Sequence, residues 1–316
     1  MRPPLFGSDV AGRDLVQISH RTQPVDTLPS IEKPSKSLDA CGLTDVGRVR
    51  HTNEDAYLIA TLQRSIVVHD ASPAGRGWFP GEAAGTLLVV ADGMGGQGGG
   101  DVASRVAVST VSSYLLNWMP WGSAGQAQRG SLPGVRDQLS SAVVAGDETV
   151  RRTGAKSGAP RMGTTLTMAL VLGVKLYVAH VGDSRCYLLR AGALRRLTTD
   201  HTMAQRVAEA SHEPLAPDSQ LHHILWNALG ATEDAPQPEI VKLPLEPSDL
   251  ILVCSDGLTK HVTDAEIAAV LGSPAPLAER CKILVGRANA GGGTDNVTVV
   301  VARAPSTNGH AASPSA

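Results

Sequence analysis

The sequence has almost no excess of charge of either sign: 28 Lys and Arg stand against 30 Asp and Glu in 316 residues, a net charge of -2. This excludes a general electrostatic attraction to polyanions, so nucleic acid is not an expected partner. A continuous apolar h-region is also lacking from the opening stretch MRPPLFGSDVAGRDLV, and the longest apolar stretch, Leu166–Val181, is interrupted by Lys175 and too short to span a bilayer. The expectation is a cytoplasmic protein with no membrane partner. Cysteines are few and far apart, Cys41, Cys186, Cys254 and Cys281, with no CxxC pair, which argues against a zinc or redox site. Two of them, Cys186 and Cys254, lie in apolar runs, where a free thiol behaves as a small core residue. There is no G-K-[ST], so a P-loop is excluded. A G-x-G-x-x-G at Gly93, Gly95 and Gly98 lacks the ribose-binding acid of a dinucleotide fold, since no Asp or Glu occurs between Asp101 and Asp137.

With 42% hydrophobic and 18% charged residues, what remains is an ordinary globular composition. Residues 1–38 are rich in Pro, Ser and charge without periodicity and are expected to form a flexible extension; 304–316 reads as a similar tail. Between them, 86–92, 163–173, 175–183, 186–190, 249–257 and 296–303 have the apolar, β-branched character of strands. Asp101 is placed to cap a helix whose Val108, Val111, Leu115 and Trp118 share one face, and 135–151 and 263–271 are further helical candidates. Strands that follow one another with almost no spacer imply antiparallel hairpins, and the helices need a sheet face to cover. The expected fold is α+β and layered, with largely antiparallel sheets inside and helices outside.

Several aspartates end or begin apolar runs: Asp92 after LLVVA, Asp183 after YVAHVG, Asp256 after LILVCS, and Asp295 before NVTVVVA. Strand ends hold carboxylates rigidly at a sheet rim, where several can be aimed at one point. Converging carboxylates repel, and a divalent cation relieves the repulsion; an oxygen-only set suits Mg²⁺ or Mn²⁺. A single Asp-Gly is usually only a turn dipeptide. Two of them, Asp92-Gly93 and Asp256-Gly257, both follow buried-strand patterns, where a glycine leaves room for the backbone carbonyl to approach an ion. Arg50, five residues before Asp55, is chemically suited to gripping two phosphate oxygens, although an Arg near acids is more often a surface salt bridge.

The ordered set R-x-x-N-E-D (50–55), V-V-A-D-G-M-G-G (89–96), G-T-T (163–165), H-V-G-D-S-R (180–185), L-T-x-D-H-T (197–202), C-S-D-G-L (254–258) and G-T-D-N-V-T (293–298) resembles the PPM, or type-2C, protein phosphatases, particularly their compact bacterial members. The resemblance implies an α-β-β-α sandwich over 39–303, a dinuclear Mg²⁺ or Mn²⁺ centre at one end of the sheets, and hydrolysis of phosphoserine and phosphothreonine by a metal-activated water. It implies that Asp92 bridges both ions, that the Gly93 carbonyl, Asp256 and Asp295 complete the set, and that Asp55 and Glu54 support metal-bound waters. Asp183 matches the position of a third, weaker ion, and Arg50 the phosphate-gripping arginine. A flap is expected at about 202–229, with His222-His223 facing solvent. Phosphorylated proteins are the expected partners, among them a Ser/Thr kinase and its substrates. Alternatives are a catalytically silent phosphoprotein-binding relative and a phosphatase dedicated to an anti-sigma-factor antagonist. One departure from many eukaryotic relatives is Met94, which stands where a proton-donating His is found and has no proton to give. The general acid is left unassigned; His51 and His180 are conceivable substitutes.

Overall fold

Runs that are apolar on both faces, such as Leu87–Ala91 and Leu166–Leu172, demand cover on two sides, and the layering follows from that demand. A computed structural model describes residues 38–68, 77–95, 99–119, 134–216, 219–232 and 234–304. The expected extension at 1–38, except Leu38, and the tail after 304 lie outside the described residues. One sheet runs β1 (Asp39–Asp45), β11 (Val297–Arg303), β10 (Leu250–Cys254), β7 (Arg185–Arg190), β8 (Ala193–Arg196) in that spatial order. The other runs β2 (Asp55–Val68), β3 (Gly77–Met94), β5 (Leu166–Leu172), β6 (Lys175–Val181), β9 (Glu239–Pro244), with the short β4 (Gly163–Thr164) also on β3. Every pairing is antiparallel.

The period-2 alternation of the strands divides the interior into three layers. Leu87, Val89, Leu166, Met168 and Leu170 face a helix pair, α1 (Gly100–Trp118) and α2 (Val135–Ser157), which contributes Val111, Leu115, Leu139 and Val143. Their alternates Leu88, Val90, Ala169 and Val171 meet Leu188, Ile251, Val253 and Val300 of the other sheet, and Leu38 joins this middle layer. On the far side, Tyr187, Leu252, Val299 and Val301 pack on α5 (Asp264–Gly272) and α6 (Leu277–Ala290). This is the α-β-β-α sandwich expected from the sequence. The one-face pattern of α1 holds, with Val111 and Leu115 fully buried and Trp118 partly so. Asp101 is not its cap, however: Gly99 is, and Asp101 lies in the first turn, ion-paired to Arg105 at 2.9 Å. The run 163–173 is two strands rather than one. It breaks at Thr165 because β4 pairs with Gly93 and Met94 while β5 pairs with Thr86–Val90.

Within the expected flap segment, Thr202 caps α3 (Met203–Ser211) through its side chain, and a 3-10 turn spans Gln220–His223. Its far end is fixed to α2: Asp147 accepts from the Gly230 N–H at 2.7 Å and from Arg151 Nε at 2.7 Å. No helix among the described residues is long and apolar enough to cross a membrane.

Candidate metal centre

Strand register sets the first pair of acids. Asp55 opens β2 directly opposite Asp92 near the end of β3, so two carboxylates start side by side at one sheet rim. Asp256 follows β10 as the first residue of a short helical turn, α4 (Asp256–Thr259), and Asp295 lies two residues before β11, the neighbour of β10. Asp183 occupies the bend between β6 and β7. Asp92, Asp183, Asp256, Asp295, Glu54, Gly93 and Arg50 line one cleft of about 820 Å³; Asp55 is packed just beneath, within electrostatic reach of Asp92, Asp256 and Asp295. The structure therefore brings together Arg50, Glu54, Asp55, Asp92, Gly93, Asp183, Asp256 and Asp295, the metal and phosphate candidates of the sequence.

Hydroxyls and one amide hold these acids in place. The Asp92 N–H donates to Thr165 Oγ1 and the Asp92 carbonyl accepts from the Thr165 N–H and the Thr164 hydroxyl, each at 2.9 Å. Asp55 Oδ2 accepts from Ser255 Oγ at 2.8 Å and Thr298 Oγ1 at 2.6 Å. Behind Thr298 the chain continues to Thr44 Oγ1 at 2.7 Å, which in turn accepts from Asn53 Nδ2 at 2.8 Å. Asn296 staples the loop before Asp55 to the site: its Nδ2 donates to the Val46 and Thr52 carbonyls, and its Oδ1 accepts from the Glu54 N–H. None of these supports was singled out as an individual functional residue in the sequence, because Ser, Thr and Asn carry no distinctive spacing and the contacts join residues 200 and 243 apart.

Two cations also reach the cluster. Arg50 forks onto Asp295, Nε to Oδ1 at 2.9 Å and Nη2 to Oδ2 at 3.1 Å. Lys260, which the sequence reading passed over, lies 2.6 Å from Asp256 Oδ2 and 2.8 Å from Asp295 Oδ2. The i,i+4 spacing of Asp256 and Lys260 was the signal that could have found it. Burial tends to raise the Asp295 carboxyl, but the hydrogen bond and charge of Lys260, with Arg50, outweigh it and hold Asp295 below the usual range. On the other side the relief is too small: Lys260 acts on Asp183 and Arg50 on Glu54, but burial outweighs both. Burial, then the neighbouring acids, push Asp92 and Asp183 well above the usual carboxylate range. Burial lifts Asp55 to about 7 despite its two hydroxyl donors, and Glu54 is also raised, first by burial.

The residues fit a pair of hard divalent ions. The donors are all oxygen, and Asp55 Oδ1 and Asp256 Oδ1 are buried with no hydrogen-bond donor, so their lone pairs are uncommitted. The two Asp-Gly glycines have a further reason to be glycine. A Cβ on Gly93 would lie 2.1 Å from the Gly100 carbonyl oxygen, and one on Gly257 would lie 2.0 Å from that of Asn296. Close backbone packing thus excludes any side chain at either position, whatever approaches the carbonyls. Among the histidines, His180 is fully buried, its Nδ1 on Thr167 Oγ1 at 2.8 Å and its Nε2 on the Thr199 carbonyl at 3.0 Å, so it is a packed residue and cannot serve as a proton donor in the cleft. Met94, His51 and His223 line the cleft; His222 contacts the Ala216 carbonyl through Nε2 at 3.1 Å.

An α-β-β-α sandwich whose oxygen-donor acids converge with Arg50 on a cleft at the sheet rim fits a metal-dependent phosphoester hydrolase. The profile described as Protein phosphatase 2C matches residues 74–284. This chain belongs to the protein phosphatase 2C family. It is 33% identical over 261 residues to the serine/threonine phosphatase stp of Listeria innocua, a match covering 82% of this chain and 92% of that one. It is 31% identical to protein phosphatase PhpP of Streptococcus pneumoniae, covering 82% and 94%. Among solved structures, the catalytic domain of the serine threonine protein phosphatase PstP in complex with two manganese ions superposes with a TM-score of 0.64 at 32% identity, covering 84% of this chain and 97% of that one. The S. agalactiae serine/threonine phosphatase gives a TM-score of 0.67 at 26% identity, covering 84% and 98%. Family, fold and site agree on a metal-dependent protein serine/threonine phosphatase.

Proposed function

We propose that a phosphatase domain spanning 39–303 removes phosphate from phosphoserine and phosphothreonine in proteins, using Asp92, the Gly93 carbonyl, Asp256 and Asp295 to hold two Mn²⁺ or Mg²⁺ ions. Asp55 and Glu54 would support water on those ions, and Asp183 would serve a third, weaker position. The observation that carries this reading is the convergence of carboxylates from five strand ends on one cleft, with buried, unpartnered oxygens on Asp55 and Asp256. The relative with two manganese ions supports the dinuclear cofactor. Bound there, the ions supply a water of lowered pKa and neutralise the phosphate oxygens.

The chain's own residues do the rest. Arg50, half exposed at the cleft mouth, presents a planar fork that matches two phosphate oxygens and exchanges Asp295 for them. Thr165 and Thr164 fix the Asp92 backbone from both sides, so this carboxylate does not reorganise during turnover. Met94 carries no proton and His180 is locked in the sheet, which leaves His51 at the cleft wall, or solvent in the open cleft, to protonate the leaving alkoxide. The segment 202–229 brings His223, Ile224, Leu225 and Ala228 to the cleft wall, where a flap would select among phosphoproteins, a Ser/Thr kinase and its substrates included. The cytoplasmic placement expected from the sequence belongs to the same proposal. The test is Asp256→Asn: it loses one ion's ligand at a rim position, so turnover falls about 100-fold or more with the fold intact. Activity near wild type at saturating Mn²⁺ would refute the ligand assignment.

A further inference from the structure

Lys260 is not among the proposed ligands, yet its ammonium sits between two of them. Its place is fixed from both directions. The Lys260 N–H donates to the Asp256 carbonyl at 2.8 Å, closing the α4 turn and setting the i,i+4 relation that brings Nζ onto Asp256 Oδ2. Asp295 reaches the same ammonium from the start of β11, 35 residues on. The side chains of Lys260, Asp256 and Asp295 are 29%, 18% and 17% exposed, so the contact is partly desolvated rather than a surface pair in bulk water. The Asp295 carboxylate is fully spoken for: Oδ1 accepts from Arg50 Nε and the Asn296 N–H, Oδ2 from Arg50 Nη2 and Lys260. Asp256, by contrast, keeps Oδ1 unpartnered while Oδ2 faces Lys260. The ammonium lies between Asp256 Oδ2 and Asp295 Oδ2, oxygens that an ion held jointly by these two carboxylates would also draw on.

We propose that Lys260 is a tethered counter-cation: it holds Asp256 and Asp295 together in the metal-free chain, and an entering ion displaces it, so that metal uptake at this half of the centre is an exchange of ammonium for metal. The proposal rests on the assignment of Asp256 and Asp295 as ligands. It has two consequences. Apparent metal affinity is reduced by the fraction of molecules in which Lys260 occupies the position. The metal-free chain keeps these carboxylates from repelling one another, so its stability, unlike that of the loaded chain, depends on the lysine charge.

The variant Lys260→Met keeps the stem and removes the charge. On the metal-stripped full chain, Mn²⁺ titration by calorimetry should show at least one of two ions binding about tenfold more tightly than in wild type. The Tm in EDTA should fall by about 2–4 °C, with the Tm in saturating Mn²⁺ unchanged, and Lys260→Arg should return both readings toward wild type. Unchanged or weaker Mn²⁺ binding, or an equal loss of Tm with and without Mn²⁺, overturns the exchange. Lys260→Gln is read by the same criteria if the Met variant does not fold. Asp256→Asn separates the two levels: if it binds Mn²⁺ as wild type does, the ligand assignment fails; if it loses an ion while Lys260→Met leaves affinity unchanged, only the exchange fails.

Discussion

Among the described residues, two largely buried clusters contain metal-ligand residue types, and they differ in how their lone pairs are used. In one, ligand atoms of His180, His201 and Glu239 all lie within 4.8 Å of one another. His180 uses both ring nitrogens, as described above; His201 Nδ1 accepts from Asn227 Nδ2 at 2.9 Å and the Gly182 N–H at 3.2 Å, and Glu239 Oε2 accepts from the Thr199 N–H at 2.7 Å. In the other, the acids of the cleft leave Asp55 Oδ1 and Asp256 Oδ1 without donors. Residue type and proximity are common to both clusters. What separates these two clusters is the lone pair left over; Asp101 Oδ1 and Asn289 Oδ1 are also buried without a donor, so such an oxygen marks a metal centre where several acids converge.

The contrast can be broken by mutation. Asp92→Asn should lower kcat/KM at saturating Mn²⁺ by about 1000-fold, near 4 kcal/mol of transition-state stabilisation. His201→Asn, in the other cluster, should leave two ions per chain and cost stability instead, on the order of 1–3 kcal/mol for the groups it unpairs. A His201 variant that loses an ion would reverse the assignment of the clusters. Next in size, Thr298→Val removes one of the two hydroxyls on Asp55 and should weaken Mn²⁺ binding about 10–100-fold by titration; an unchanged Kd would make that hydroxyl purely structural.

The two clusters also respond to pH through different groups. Burial, followed by the charge of His201, lowers His180 from its ordinary 6.5 to about 3. A histidine depressed in the folded state stabilises the fold fully above pH 6.5, and that stability is lost as pH falls toward 3. At pH 5 the loss is on the order of 2 kcal/mol. Urea unfolding in EDTA at pH 7 and pH 5 should therefore show a larger loss for wild type than for His180→Asn, whereas parallel losses would remove His180 from the account. The smallest effect is expected for Arg50→Ala, where KM for a phosphopeptide rises about tenfold with kcat little changed, or ~1.4 kcal/mol; an unchanged KM would leave Arg50 as the salt bridge to Asp295 alone.

The layers and the acids were legible in the sequence because both rest on local signals. Apolar runs announce buried strands, and an Asp at the end of such a run is carried to the rim with it. All four edge strands, β1, β2, β8 and β9, were missed because segments such as DACGLTD, ALRR and EIVKLP interrupt the apolar pattern with polar residues on half-covered faces. Helix α6 was missed although Leu277, Cys281, Leu284, Val285 and Ala288 give it a helical stripe. The supports of the site were illegible for another reason. Ser255, Asn296 and Thr298 act on Asp55 and Glu54 from the opposite sheet, a juxtaposition produced only when the two sheets stack. Lys260 was half legible, since its spacing to Asp256 is local but its contact with Asp295 is not.

The most direct test joins binding and chemistry in one sample: titration of the metal-stripped chain with Mn²⁺, then hydrolysis of a phosphothreonine peptide, wild type beside Asp92→Asn. The account predicts two ions bound per wild-type chain and phosphate release that EDTA abolishes, with fewer ions and almost no release in the variant. Metal binding without phosphate release, or unchanged stoichiometry in Asp92→Asn, would contradict it.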